Sequence, residues 1–182
     1  MLLISPSHWR VLLMTSVVFI LYGATSVIIP PPGTDALRWA FVVFAFLISL
    51  ISVACAVVER KHLVEWWLNL LIAASNFAIA IIAALYPLVD PTLREGEFLG
   101  TLVGIQGIVL GCLSLAMSID LTHELRLHRT FIPFTTMSVA SAILMLANPF
   151  GGRVENHWLF GVYGLACGLS LLPSVISIKE RA

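Results

Sequence analysis

The side chains best suited to chemistry lie in one polar segment, which contains His123, Glu124 and His128. The segment is similar to the zinc motif HExxH, in which two histidines four residues apart share one face of a helix and bind the metal together. Here the second histidine is five residues after the first, which on a helix rotates it by roughly 140° around the axis. The two rings cannot reach one metal, so we predict that residues 120–129 form a solvated loop without a metal site.

A second charged segment precedes the third apolar run of the chain: Glu59, Arg60, Lys61 and His62. Such a group is typical of a short turn between two helices. Glu65 follows it and is a candidate functional residue, because ionisable residues within membrane spans are functional candidates by default. The alternative is that its carboxylate reaches interfacial water or pairs with Arg60 or Lys61.

The polar side chains deeper in apolar sequence carry no charge. Asn69 and Asn76 share one face of a predicted helix with two alanines, and Gln106 lies near the middle of the next run. Asparagine and glutamine in a membrane usually form hydrogen bonds across helices and contribute roughly 0.6–2 kcal/mol each. We therefore favour a role in holding helices together, with a polar lining for water or a small ligand as the alternative.

The middle of every apolar run lacks Asp, Glu, Lys, Arg and His. Proton relays, ion-coupled carriers and voltage sensors place such groups there, so the pattern argues against these classes. The sequence also lacks a P-loop, a dinucleotide-binding fingerprint, a nucleophile elbow and the buried histidine pair that haem would need. We predict a protein that is not an enzyme, with no catalytic residues and no cofactor. Cys55, Cys112 and Cys167 lie singly in apolar runs and are expected to be buried and unpaired.

Six apolar runs must position these residues. The chain is 59% hydrophobic and 11% charged, whereas soluble domains carry about 25% charged residues, so much of its surface should face lipid. A helix needs roughly 17–25 residues to cross the hydrocarbon core, and the runs meet that length. The net charge of zero gives no basic surface for nucleic acid. The predicted spans form one domain and cover residues 11–29, 36–58, 63–89, 98–121, 131–147 and 158–178.

The Lys and Arg residues predict the orientation of these spans. Seven of the ten fall on the side that holds both termini, which the positive-inside rule assigns to the cytoplasm: Arg10, Arg60, Lys61, Arg126, Arg129, Lys179 and Arg181. The five tryptophans lie near the ends of runs, as in the aromatic belt of a membrane protein. Acidic residues and one histidine on the outer side are either solvated loop charges or a pH sensor: Asp35, Asp90, Glu95, Glu97, Glu155 and His157.

The odd-numbered runs repeat one pattern. Each ends at a proline on its outer side and has a small residue seven and fourteen positions earlier, on one helical face. The prolines are Pro30, Pro87 and Pro149; the small residues are Gly23, Ala80 and Ala142, then Ser16, Ala73 and Thr135. Pairing each odd run with the next even run gives three hairpins that start and end inside. The predicted fold is therefore an all-α bundle of six transmembrane helices, built from three consecutive parallel helix-hairpin repeats.

The fourth and sixth runs share a set of glycines at the same spacing: Gly104, Gly107 and Gly111 in one, Gly161, Gly164 and Gly168 in the other. The second run has only Ala45, Ser49 and Ala54 as small residues. Glycines four residues apart let two helices approach closely. We predict close packing of the fourth and sixth helices, or dimerisation through them, with a cavity left by the missing side chains as the alternative.

One combination of residues resembles a known family. It consists of a tryptophan near the start of an odd run, a small residue within the run and a proline at its outer end. The residues that carry it are Trp9, Gly23 and Pro30, then Trp67, Ala80 and Pro87, and finally Ala142 and Pro149. This pattern resembles the HdeD-like acid-resistance membrane proteins. The resemblance implies a fold and a link with acid-stress survival in bacteria, and it implies no catalytic residues.

Three hypotheses for the function follow. The first is a non-enzymatic protein of the bacterial inner membrane that acts in acid or general stress tolerance. The second is an accessory or structural subunit of a larger membrane complex, or a homo-oligomer, since the faces are rich in glycine and the loops are short. The third is a channel or facilitator for a small neutral solute, lined by Asn69, Asn76 and Gln106.

Overall fold

The computed structural model describes residues 8–28, 34–60, 66–89, 95–120, 125–147 and 157–179, and these residues contain helices and no strand. The six helices confirm the predicted all-α class. They are α1 (His8–Ile28), α2 (Thr34–Glu59), α3 (Trp66–Val89), α4 (Glu95–Asp120), α5 (Leu125–Ala147) and α6 (His157–Lys179).

Five of the six helices are long and apolar enough to cross a membrane, and the chain is accordingly a multi-pass helical membrane protein. Helix α5 has a shorter apolar stretch, Ile132–Ala147. Its first turns carry Arg126, His128 and Arg129 instead. The helix therefore extends beyond its apolar part, and a sixth crossing through α5 stays a prediction.

The start of α5 differs from the sequence-based prediction. Helix α5 begins at Leu125, so the predicted loop is wrong over its second half. Leucine and arginine are good helix formers, which allows the helix to start outside the apolar run. Helix α3 ends at Val89, as the predicted span 63–89 does, and it continues through Pro87. A proline in the last turn leaves only one backbone carbonyl without its helical donor, which a helix end tolerates.

Each helix packs against its neighbours so that the first and last helices of the chain meet. The most extensive contacts join α1 with α6, α2 with α3, and α4 with α5. Smaller contacts join α5 with α6, α1 with α2, and α3 with α4. The six helices thus close into a ring in which every helix touches two main neighbours.

Aromatic side chains fill the middle of this ring. We call them the aromatic centre; all are buried, and they are Phe19, Tyr22, Phe41, Phe44, Phe134 and Tyr163. The ring of Phe19 lies 4.9 Å from that of Phe44, 5.8 Å from that of Phe134 and 6.0 Å from that of Tyr163, edge to face in each case. Such arrangements are favourable beyond the area they bury. Contacts from one side of the ring to the other therefore leave the centre densely packed.

The outer surface of the ring is apolar. Large hydrophobic side chains are exposed on every helix, among them Leu21 on α1, Leu50 on α2, Leu85 on α3 and Leu144 on α5. In a soluble protein an apolar surface of this extent would be a liability. In a multi-pass membrane protein it is the surface that contacts lipid.

Candidate functional site

The deepest polar contact joins α3 and α4. The side-chain amide of Gln106 donates to Asn76 Oδ1 over 2.5 Å, and Asn76 Nδ2 donates to the backbone carbonyl of Ile72 over 2.8 Å. Both amide side chains are fully buried. The carbonyl of Ile72 can only accept, which fixes the direction of both hydrogen bonds. The remaining amide oxygen of Gln106 therefore points elsewhere in the bundle as an acceptor.

Of the three polar residues predicted as glue or lining, the structure brings two together. Asn69 lies on the same face of α3 as Asn76, two turns earlier, and is also buried. Asn76 and Gln106 meet between α3 and α4, where their hydrogen bond links two helices. The sequence predicted that Asn69 and Asn76 share one face of α3, but only the structure shows that Gln106 on α4 is the partner of Asn76.

Several buried polar atoms near the centre have no protein hydrogen-bond partner among the described residues. They include Gln106 Oε1; the hydroxyls of Tyr22 and Tyr163 make no short hydrogen bond either, but each lies beside a serine, Ser26 or Ser138. Tyr163 lies beside Ser138, Cys167 and Tyr22. The hydroxyl of Ser138 donates to the backbone carbonyl of Gly107 over 2.8 Å, and its oxygen can still accept from the hydroxyl of Tyr163. These orphan groups are the features of the centre that a hydrogen-bonding ligand could recognise.

The glycines of α6 lie against α1. An added Cβ on Gly164 would be 2.6 Å from the backbone nitrogen of Gly23, and one on Gly168 would be 2.9 Å from the backbone nitrogen of Ile20. The hydroxyl of Ser16 donates to the carbonyl of Gly168 over 2.7 Å. The two backbones approach so closely that only glycine fits at position 164 without moving a helix.

The glycines of α4 lie against α5 in the same manner. An added Cβ on Gly104 would meet the side chain of Leu146 at 2.7 Å, and one on Gly107 would meet the Cβ of Ala142 at 2.9 Å. All three glycines of this set are buried. The predicted packing partners thus differ from those observed, since α4 packs on α5 and α6 packs on α1.

The contact between α2 and α3 uses alanine and serine in place of glycine. The hydroxyl of Ser49 donates to the carbonyl of Ala73 over 2.9 Å. Ala45 and Ala80 are both buried. Small residues thus line the contact faces in all three of the most extensive helix pairs, and a serine hydroxyl that donates to a backbone carbonyl adds to each of them.

One arginine is buried where α2 begins. Arg38 forms a 2.7 Å ion pair with Asp35, and its guanidinium lies 5.6 Å from the ring of Trp39 and 5.8 Å from the ring of Tyr86 on α3. Its side chain is only 11% exposed, whereas that of Asp35 is 72% exposed. Arg38 lies inside the predicted span 36–58, near its start, but the sequence analysis did not predict that it is buried. Asp35 and Arg38 are three residues apart on one helix, and this spacing could have predicted their ion pair.

At the opposite end, tryptophans contact cations between helices. Trp9 on α1 lies 5.5 Å from Lys179 Nζ on α6, and Trp66 on α3 lies 5.6 Å from the guanidinium of Arg60 after α2. Cation–π contacts of this kind contribute about 0.5–1 kcal/mol at exposed sites. They join the same helix pairs that the small residues bring together.

The other candidate residues have mixed outcomes. Glu65, His123 and Glu124 lie outside the described residues, and α5 contains His128. Cys167 is buried and Cys55 partly so, but Cys112 is exposed, so the expectation of burial is wrong for Cys112 because it is on the outward face of α4. Among the described residues, no three His, Cys, Asp or Glu side chains are grouped as metal ligands would be.

Comparison with known proteins finds no matching family model, curated protein or solved structure. The chemistry of the site therefore has to be inferred from its residues. Arg38 is the one buried charged side chain among those whose burial the structure describes, and it lies at a helix end. The centre offers amides, hydroxyls and aromatic rings, which can bind a neutral molecule by hydrogen bonds.

Proposed function

We propose that the chain is a non-enzymatic, self-contained protein of the bacterial inner membrane that acts in acid or general stress tolerance, as the resemblance to HdeD-like proteins suggests. In this proposal all six helices cross the bilayer and both termini are cytoplasmic. The role in stress tolerance rests on the sequence resemblance. The self-contained character rests on the structure of the bundle.

The observation that carries the proposal is the internal use of both glycine sets. Gly107 packs on Ala142 and Gly164 packs on Gly23 within one chain. Faces used in this way are not available to a partner subunit or to a second copy. The function should therefore belong to the chain itself and not to a complex assembled through these glycines.

A repeat of three hairpins is part of the same proposal. The most extensive contacts join three equivalent helix pairs: α2 with α3, α4 with α5, and α6 with α1. Each pair consists of an even helix and the odd helix of the next hairpin. Trp9 with Lys179 and Trp66 with Arg60 form equivalent contacts at two of these pairs. These similarities support a pseudo-threefold bundle in which the last hairpin closes on the first.

A facilitator for a small neutral solute is the second candidate, favoured by the Asn76–Gln106 pair at the centre. The aromatic centre argues against it, because Phe19 contacts rings from α2, α5 and α6 across the bundle. A continuous polar path would need these rings to move apart. An accessory subunit is the third candidate, and it would have to dock through the lipid-facing surface.

Acid challenge of a deletion strain tests the proposed function. We expect survival to fall when the gene is deleted and to return when the wild-type chain is supplied. Gly164→Leu should fail to restore survival, because its side chain would overlap the backbone of Gly23. Val162→Leu is the matched control, since Val162 is on the same helix but exposed to lipid.

Protein levels in the membrane fraction must be measured for every variant. Equal survival of the deletion strain and the wild type over a range of acid, osmotic and oxidative stresses would remove the stress role. Restoration by Gly164→Leu at a normal protein level would remove the claim that the closed bundle is needed for it.

A further inference from the structure

Two cations from opposite ends of the chain contact one indole ring. The guanidinium carbon of Arg10 on α1 lies 5.5 Å from the ring centroid of Trp9, and Lys179 Nζ on α6 lies 5.5 Å from the same ring. The two charges are therefore at most twice this distance apart. The helices that carry them form the most extensive contact of the bundle, so the cations meet where the ring of helices closes.

These three side chains lie at one surface of the membrane. Trp9 contacts Lys179 while Gly23 packs on Gly164, so α1 and α6 run antiparallel. The apolar span of α1 begins at Trp9, and that of α6 ends at Ile176, three residues before Lys179. Tryptophan prefers this level, where the lipid headgroups lie, and long cationic side chains extend their charges towards it.

Neither cation forms an ion pair within the part of the chain that the structure describes. The ion pair found there joins Arg38 to Asp35 at the start of α2. Arg10 and Lys179 are both exposed, and Trp9 is half-buried between them. Two like charges this close repel each other, and an anion bound between them would turn the repulsion into attraction.

A phosphate group matches the donors at this site. A guanidinium can donate to two phosphate oxygens at once, and an ammonium adds a compact charge with three donors. The headgroup phosphates of phospholipids are the anions that surround a membrane protein at this depth. Basic sites between transmembrane helices are known to bind such headgroups.

The other tryptophans with cation contacts lack this combination. Trp66, at the start of the span of α3, has Arg60 as its cation among the described residues. Trp39 has Arg38, whose charge is already paired with Asp35. Only at Trp9 do two cations without a described carboxylate partner meet, and they come from two helices.

We propose that Arg10, Lys179 and Trp9 bind the phosphate of an anionic phospholipid of the phosphatidylglycerol type. The phosphate lies between the two cations, and the acyl chains run along the apolar outer surface, where Met14 and Ile176 are exposed near this end of the seam. The lipid thereby links the first helix to the last. This site goes beyond the proposed role in stress tolerance and does not depend on it.

Lipid binding to the purified chain tests the site. The protein in neutral detergent is titrated with phosphatidylglycerol or with phosphatidylcholine, and native mass spectrometry gives the affinity for the first bound lipid. Each cation near an anionic lipid should strengthen binding about 5-fold. We therefore expect the wild-type chain to prefer phosphatidylglycerol by about 25-fold, and Arg10→Gln or Lys179→Gln to lower this preference about 5-fold each. The double variant should bind both lipids equally.

Three controls make the result specific. Lys179→Arg keeps the charge and should keep the preference. Arg60→Gln removes one cation beside Trp66 and should reduce the preference for phosphatidylglycerol less than Arg10→Gln does. Inorganic phosphate at the concentration of the lipid should not displace phosphatidylglycerol, because it lacks the acyl chains.

Several outcomes would overturn the proposal. A wild-type chain that binds both lipids equally has no such site, and this result needs no variant to fold. An equal loss in Arg60→Gln and Arg10→Gln would show a general effect of surface charge. Displacement by inorganic phosphate would show a site for the free anion and not for a lipid. Because the measurement uses purified protein, its outcome is separate from the survival of the deletion strain.

Discussion

The close approach of the α1 and α6 backbones makes a sharp prediction for Gly164→Ala. The added methyl carbon would lie 2.6 Å from the backbone nitrogen of Gly23 and 2.7 Å from its Cα. Backbone atoms cannot rotate aside as a side chain can, so α1 and α6 must separate. Overpacking of this kind costs about 1–3 kcal/mol. We expect the free energy of unfolding to fall by this amount, less the gain in helix propensity.

Gly100→Ala is the matched control for that gain. Gly100 is in α4, and the nearest group to its added methyl carbon is the Phe160 ring at 3.9 Å, an ordinary contact. Both substitutions gain about 1 kcal/mol of helix propensity, so their difference isolates the cost of overpacking. Gly164→Ala should therefore unfold roughly 5- to 150-fold more readily than Gly100→Ala.

A third glycine should fall between these two. An added carbon on Gly104 would meet the side chain of Leu146 at 2.7 Å, and that side chain can turn away. Reversible unfolding in mixed detergent micelles, followed by circular dichroism, gives the three free energies. Equal stability of Gly164→Ala and Gly100→Ala would refute the close α1–α6 contact and the closed ring built on it.

Three further outcomes are expected. Ser16→Ala removes the hydrogen bond to α6 and should lower the free energy of unfolding by about 0.6–1.7 kcal/mol; an unchanged value would show that this bond contributes nothing. Asn76→Leu leaves Gln106 without its acceptor and should lower the free energy of unfolding by up to about 3 kcal/mol. The double variant, which also carries Gln106→Leu, should be no less stable than Asn76→Leu alone. Purely additive losses in the same unfolding assay would contradict the pairing. A lipid-soluble maleimide should label the exposed Cys112 in membranes and spare the buried Cys167, as mass spectrometry of peptides would detect; equal labelling would contradict the assigned faces of α4 and α6.

The sequence was sufficient for the helical class because it depends on local properties. Long apolar runs without charge have one stable arrangement in lipid, the helix, so six helices could be predicted from composition and length alone. Small residues at regular spacing likewise predicted which faces pack closely. Gly164 is an example, since its spacing from Gly161 and Gly168 indicated a tight contact before its partner was known.

The partners themselves could not be predicted, because they depend on how helices far apart in sequence rotate and approach. The sequence favoured packing of the fourth helix with the sixth, whereas Gly164 meets Gly23 from the opposite end of the chain. The same reason applies to Gln106, whose side chain could have faced lipid or any neighbouring helix. The burial of Arg38 was not predicted either, because it depends on Asp35 and on two aromatic rings, one of them from α3.

The central claim is that this chain is a self-contained bundle whose close-packing faces are used internally. Native mass spectrometry of the protein extracted from its own membrane in mild detergent tests it most directly. We expect the chain to be found alone, with lipid as its only companion. A stoichiometric protein partner, held through the faces that carry Gly107 or Gly164 and lost when either is replaced, would contradict it.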